Sequence, residues 1–107
     1  MHILVVKFHS RLGDSELHKL LQERLPSVWL VPGLLQKYYA REGSTGNYVG
    51  VHVFESEEFL MQYRHSELSR SLPVVYAASE QPRVETFEVL FPLRPEVGSL
   101  TRPVERV

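Results

Sequence analysis

The chain of 107 residues is short enough for a single domain, since hydrophobic cores split into separate domains only well beyond this length. Its 12 basic and 13 acidic residues give a net charge of −1, which excludes the strongly basic field typical of proteins that bind nucleic acid or anionic membranes. Cysteine is absent, which excludes disulfides, thiolate catalysis and cysteine-ligated metal centres and is compatible with the cytoplasmic location that we expect.

The first third of the chain predicts a strand and a helix. Residues 3–9 are short and rich in β-branched side chains, which predicts a first strand and neither a signal peptide nor a membrane span. Asp14 is a good N-cap, and leucines at helical spacing follow it. Pro26 disfavours helical geometry at Leu25, so we expect the helix to end there.

Two strands and a second helix are predicted in the middle of the chain. The strand-like runs 34–41 and 48–55 are joined by glycines and an asparagine that suit a hairpin connection. Ser56 is the predicted N-cap of the second helix, with acidic residues in its first turn. A second start at Ser66 and a proline at Pro73 predict that this helix is segmented.

A fourth strand is predicted at residues 83–91, so that the order β-α-β occurs twice. This order predicts the ferredoxin-like topology, an α+β fold in which a four-stranded antiparallel sheet carries both helices on one face. We expect one domain over residues 1–93. Residues 94–107 are expected to form a C-terminal tail or arm, because this end of the chain is rich in proline and has no consistent hydrophobic period.

Alternate side chains of each strand point to opposite faces of the sheet, and one face would be almost wholly apolar. Two helices can cover only one face, and leaving eight large apolar side chains in water would cost about 10 kcal/mol or more. We therefore expect a homodimer that packs sheet against sheet into an α/β barrel. Two alternatives stay open: the tail covers this face, or a bulge at Gly50 changes the register. The apolar face comprises Ile3, Val5, Val49, Val51, Val53, Phe87, Val89 and Phe91.

The stretches PGLLQKYYARE, at residues 32–42, and GVHVFESEEFLMQY, at residues 50–63, resemble the dimeric α/β-barrel superfamily. This superfamily includes antibiotic-biosynthesis-type monooxygenases, bacterial monooxygenase-like proteins, cofactor-independent quinol and anthrone oxygenases, haem-degrading oxygenases and isomerases. The resemblance covers about residues 3–91 and implies a pocket-facing position for Phe54. Haem breakdown is not implied. The haem-degrading members have a polar residue on the first strand, where this chain has Val6, and a histidine on the second helix, which His65 matches only loosely.

The second face of the sheet mixes aromatic and polar side chains, which is the usual composition of a small-molecule pocket between sheet and helices. His52 is the candidate catalytic base, since histidine exchanges protons near neutral pH. Glu88 shares this face about 10 Å away, so the two would bracket a ligand. Tyr63 and Tyr76 would orient a phenolic ring, although a half-buried histidine and core tyrosines are the ordinary alternative. The predicted ligand-binding residues are Tyr48, Phe54, Tyr63, Tyr76 and Glu88.

The remaining candidates carry less chemistry. Lys37, on the second strand, is either a cation in the pocket or a charged residue that protects an edge strand against aggregation, and the second interpretation is favoured. The five histidines show no pair or carboxylate cluster with metal-ligand spacing, so neither a metal nor another cofactor is predicted.

Two functions are compatible with these patterns. The first is a cofactor-independent monooxygenase-like protein acting on a small aromatic substrate of the quinol or anthrone type, in which His52 removes a proton. The alternative is a non-enzymatic dimeric module that binds a hydrophobic metabolite or a partner protein. The sequence alone favours neither of them strongly.

Overall fold

The computed structural model describes residues 1–94 and confirms the predicted order of elements. Apart from Arg94, the predicted tail at 94–107 lies outside the described residues. None of the helices in the described part is long and apolar enough to cross a membrane. The strands are β1 (His2–Phe8), β2 (Leu34–Arg41), β3 (Tyr48–Phe54) and β4 (Arg83–Glu88), and the helices are α1 (Asp14–Trp29), α2 (Glu57–Arg64), α3 (Glu67–Arg70) and α4 (Leu72–Val75).

The four strands form one antiparallel sheet in the order β2-β3-β1-β4, which confirms the α+β ferredoxin-like fold. Within the strands the register also confirms the predicted division of side chains between the two faces. Val89 and Phe91, which were assigned to the apolar face, lie beyond the end of β4. Gly50 pairs with Val6 on β1 and with Tyr39 on β2, so no bulge occurs there. The register shift lies instead in β2, between Leu34 and Gln36.

The core lies on the face of the sheet that carries the helices. Leu4, Val6 and Phe8 of β1 are buried in one cluster with side chains from α1, α2 and α4. The opposite face remains partly accessible, and half of the Phe87 side chain is exposed. We call it the open face, and it comprises Ile3, Val5, Val49, Val51, Val53 and Phe87.

Two predicted boundaries of α1 are wrong. Gly13, and not Asp14, is the N-cap, and the helix continues through Pro26 to Trp29. Pro26 removes one backbone hydrogen bond from the helix. Val28, the penultimate residue of the helix, is buried, and its carbonyl oxygen accepts a hydrogen bond from the amide of Val31 at 3.1 Å. Packing of Val28 against the interior therefore outweighs the local preference of the proline.

The second helical region begins and divides as predicted. The side chain of Ser56 accepts a hydrogen bond from the amide of Phe59, and Ser66 caps α3 in the same way. The start of α2 is also fixed to the start of β2, because the ring of Phe59 lies directly against Gly33. Gly33 has a φ of 73° and no Cβ atom, so it provides both the turn and the space that Phe59 occupies.

Strand β4 ends at Glu88, three residues before the predicted end at Phe91. The amide of Val89 still donates a hydrogen bond to the carbonyl oxygen of Met1 at 3.0 Å, and the chain then leaves the sheet. Leu90 and Phe91 are largely exposed.

Candidate functional site

The centre of the helix-facing surface is built around a residue without a side chain. Gly50 lies on β3 between Tyr48 and His52, and all three positions face the helices. A Cβ atom at Gly50 would lie 2.9 Å from the hydroxyl oxygen of Tyr48 and 3.3 Å from Cε1 of His52. The space above Gly50 is thus filled by the two neighbouring polar side chains, and we call this group of three residues the glycine cradle.

Two buried polar atoms of the glycine cradle have no partner within residues 1–94, namely the hydroxyl oxygen of Tyr48 and Nε2 of His52. Nδ1 of His52 lies 3.2 Å from the carbonyl oxygen of Leu4, to which it can only donate, so the proton resides on Nδ1. Nε2 then carries a free lone pair. Each unpaired buried polar group costs about 1–3 kcal/mol, so this hydroxyl donor and nitrogen acceptor mark a place where a ligand or water is expected.

Burial sets the protonation of both groups. Burial, followed by the charge of Lys37, lowers the pKa of His52 to about 3. Burial raises the pKa of the Tyr48 hydroxyl above its ordinary value. At neutral pH the cradle therefore offers a neutral hydrogen-bond acceptor and a neutral donor side by side.

The corner between β3 and α2 is filled by its own rings. The ring centroid of Tyr63 lies 5.2 Å from that of His52 and 5.6 Å from that of Phe54. Phe54 has no exposed surface, and burial raises the pKa of Tyr63 to about 12. The structure thus brings these three predicted site residues together as packed aromatic core.

Tyr76 joins the cradle from the end of α4, whereas Glu88 does not. The ring of Tyr76 lies 6.5 Å from that of Tyr48 and stacks on Phe8 at 6.1 Å. Glu88 is exposed near the end of β4, where its register partner is His2. The two side chains that were predicted to lie on either side of a ligand are therefore in different surroundings: His52 is inside the protein, and Glu88 is in solvent.

The open space beside the cradle lies between α1 and β2. One hollow of about 320 Å³ reaches Tyr48 and is bounded on the helix side by Leu17 and Leu21. A second hollow, of about 570 Å³, lies between the last turns of α1 and β2. Tyr39 lines both, and we call the two hollows together the α1–β2 cleft. Tyr48 is the cradle residue that lines the first hollow, and His52 lines neither. The second hollow is lined by Leu25, Val28, Trp29, Leu34, Leu35, Gln36, Lys37 and Tyr39.

Lys37 was predicted mainly as a residue that protects an edge strand against aggregation, but its side chain lines the second hollow. It is half-buried in the second hollow, its ammonium nitrogen lies 4.6 Å from the ring centroid of Tyr39, and its register partner is His52. Burial, followed by the charge of Arg24, lowers the pKa of Lys37 to about 8. The register of β2 against β3 places Lys37 on the same face as His52.

Arg24 was missed altogether. It follows Leu17 and Leu21 at the spacing of one helix face, which is the signal that directs it inwards. Its guanidinium carbon lies 5.6 Å from the ring centroid of Tyr76. Arg24 therefore lies against Tyr76 and lines a hollow separate from the α1–β2 cleft.

Comparison with known proteins identifies the fold. No family model and no curated protein matches the chain. A protein of unknown function from Nitrosomonas europaea superposes with a TM-score of 0.72 at 20% identity, covering 88% of this chain and 93% of that one. A candidate antibiotic biosynthesis monooxygenase from Deinococcus radiodurans gives 0.70 at 11% identity, with coverages of 88% and 97%.

SnoaB, a cofactor-independent oxygenase from Streptomyces nogalater, has the same architecture, with a TM-score of 0.68 at 14% identity and coverages of 86% and 95%. The expected resemblance is thereby confirmed at the level of the fold: this chain has the architecture of antibiotic biosynthesis monooxygenase structures. At such low identities the likeness concerns the fold, and any activity has to be argued from the residues.

Proposed function

We propose that the chain is a cofactor-independent monooxygenase-like protein that binds a small aromatic substrate of the quinol or anthrone type in the α1–β2 cleft. The observation that carries this proposal is the unpartnered hydroxyl of Tyr48 beside the unpartnered Nε2 of His52. The two atoms together can pair with a phenol, which both donates and accepts a hydrogen bond. Tyr63 and Tyr76 form the aromatic wall behind them, together with Phe54, and the exposed Glu88 has no part in this arrangement.

The proposed reaction converts a ring CH₂ group and dioxygen into a carbonyl group and water. His52 accepts a proton from the substrate, and the resulting carbanion gives one electron to dioxygen. Recombination of the radical pair forms a C–O bond, and cleavage of the O–O bond then leaves the carbonyl and hydroxide. Because burial lowers the pKa of His52 to about 3, the imidazolium holds the proton only briefly and returns it to the hydroxide, which forms water.

Oxygen uptake and ultraviolet–visible spectra of the pure protein with anthrone and 1,4-dihydroxynaphthalene test this proposal. Gly50→Ala places a methyl group 2.9 Å from the Tyr48 hydroxyl oxygen and should abolish turnover. The separate variant His52→Ala should abolish turnover as well. Gly43→Ala is the matched control, because nothing lies within 4 Å of a Cβ atom at that position. Oxygen uptake that does not exceed that of His52→Ala would overturn the assignment.

The non-enzymatic binding module is the second candidate, and the lowered pKa of His52 favours it, since a base of this strength is weak. In that case the same ligands bind in the α1–β2 cleft without oxygen consumption. Tight binding of 1,4-dihydroxynaphthalene by the wild type, lost in Gly50→Ala, combined with no turnover, identifies this function.

We further propose that the domain at residues 1–93 forms a homodimer, and hence a dimeric barrel, through the open face. Support comes from the register, which aligns Val51 with Val5 and with Tyr38 on this face, and from the half-exposed rings of Tyr38 and Phe87. Val51→Asp should give monomers in sedimentation at micromolar concentration. Val74→Asp, on an exposed valine of α4, should leave the dimer intact. A monomeric wild-type protein contradicts this proposal.

A further inference from the structure

Lys37 enters the hollow between α1 and β2 without a counter-charge. Within residues 1–94 the ion pairs join Lys7 to Glu42 and Arg41 to Asp14, and Lys37 takes part in neither. Removing an ammonium from water costs several kcal/mol unless an opposite charge compensates it. The contact of Lys37 with the face of Tyr39 returns only part of this cost.

Lys37 stands where a bound ring would meet both a charge and apolar surface. Its side chain lines the same hollow as the apolar side chains of Leu25, Val28 and Leu34. Its register partner on the neighbouring strand is His52, whose Nε2 atom carries the free lone pair. A ring in this hollow would therefore rest on apolar surface with an ammonium group beside it.

We propose that the α1–β2 cleft selects an aromatic anion, a ring that carries a carboxylate or phenolate oxygen, with Lys37 as its electrostatic partner. This inference rests on the proposed function for the location of the site and adds to it the charge of the ligand. The positive charge of Lys37 attracts the anion, and the neutral cradle pairs with a hydroxyl group of the same ring. A negative ligand also supplies the missing counter-charge.

Isothermal titration calorimetry with 2-naphthoate and 2-naphthalenemethanol tests the proposal, since the two probes share a ring system and differ in charge. The wild type should bind 2-naphthoate about tenfold more tightly than the alcohol, as expected for one partly buried charge pair. Lys37→Met should remove this preference while retaining the affinity for the alcohol, and Lys37→Arg should restore part of it. Lys19→Met makes the same charge change on the exposed face of α1 and should alter neither affinity.

Equal affinities of the two probes in the wild type, or a preference for 2-naphthoate that survives in Lys37→Met, would overturn the proposal. Competition by acetate or phosphate as strong as that of 2-naphthoate would also overturn it, because the site would then recognise a simple anion. None of these measurements depends on oxygen chemistry. If the protein binds 2-naphthoate selectively but consumes no oxygen, the proposed ligand charge stands and the oxygenase function is wrong. If it turns over a neutral quinol without preferring 2-naphthoate, the oxygenase function stands and the proposed ligand charge is wrong.

Discussion

The two sides of the helix-facing surface differ in packing, because the α2 side is closely packed and the α1 side contains a hollow. On the α2 side, His52, Phe54 and Tyr63 contact one another ring against ring and leave no surface exposed on Phe54. On the α1 side, a hollow of about 570 Å³ separates the helix from β2, and Trp29 at its rim is 87% exposed. The two neighbouring regions thus divide between close packing on the α2 side and, on the α1 side, the space in which we propose that a ligand binds.

The largest effect that tests this division is the loss of a ring from the packed side. Phe54→Ala removes a fully buried aromatic side chain and should lower the free energy of unfolding by about 3–5 kcal/mol, because the surrounding rings can collapse only partly. Urea denaturation followed by circular dichroism measures it. A loss below 1 kcal/mol would mean that the corner is loosely packed and that the comparison between the two sides fails.

A smaller effect should appear as a pH dependence of stability. The pKa of His52 falls from 6.5 to about 3 on folding, so between these values the unfolded chain binds a proton that the folded chain does not. Stability should therefore decrease as the pH falls from 6.5 towards 3, and His52→Gln should make this decrease shallower. Urea midpoints at intervals across the range measure it.

The matched variant for this experiment is His65→Gln, at an exposed position at the end of α2. It should reproduce the wild-type slope. An equally steep decrease in wild type and His52→Gln would show that His52 accepts a proton freely in the folded protein, and the packed side would then be as accessible as the α1–β2 cleft.

The smallest effect on stability is expected on the α1 side. Leu25 is 42% exposed and borders the hollow, so Leu25→Ala should change the free energy of unfolding by about 0.5 kcal/mol or less. It should nevertheless weaken the binding of 1,4-dihydroxynaphthalene, because the ring loses an apolar contact. Calorimetry and urea denaturation on the same variant sharpen the comparison. A large loss of stability without a change in affinity would contradict the assignment of packing to the α2 side and of binding to the α1 side.

Local patterns predicted the strands and the second helix well. The strand-like run at residues 34–41 and the cap at Ser56 are properties of a few neighbouring residues, and both predictions were correct. The end of α1 was wrong for the opposite reason. Pro26 is a local signal for a break, whereas the burial of Val28, which holds the last turn, depends on residues far away in the sequence.

The site was predictable only in part. The alternation of β3 places Tyr48, Gly50 and His52 on one face, which is why two of the predicted site residues meet at the cradle. Whether a given side chain on that face is buried depends on the helix above it. Sequence spacing therefore could not tell that Glu88 remains in solvent while Lys37, on the other edge strand, is half-buried.

The position of Trp29 has a practical consequence. It is the single tryptophan of the chain, and its indole ring lines the same hollow as Lys37 while remaining 87% exposed. Its emission maximum should therefore lie near that of an indole in water and should move to shorter wavelength when a ligand displaces solvent from the hollow. The molecule thus carries its own fluorescent reporter, so that libraries of ligands can be screened against the unlabelled protein.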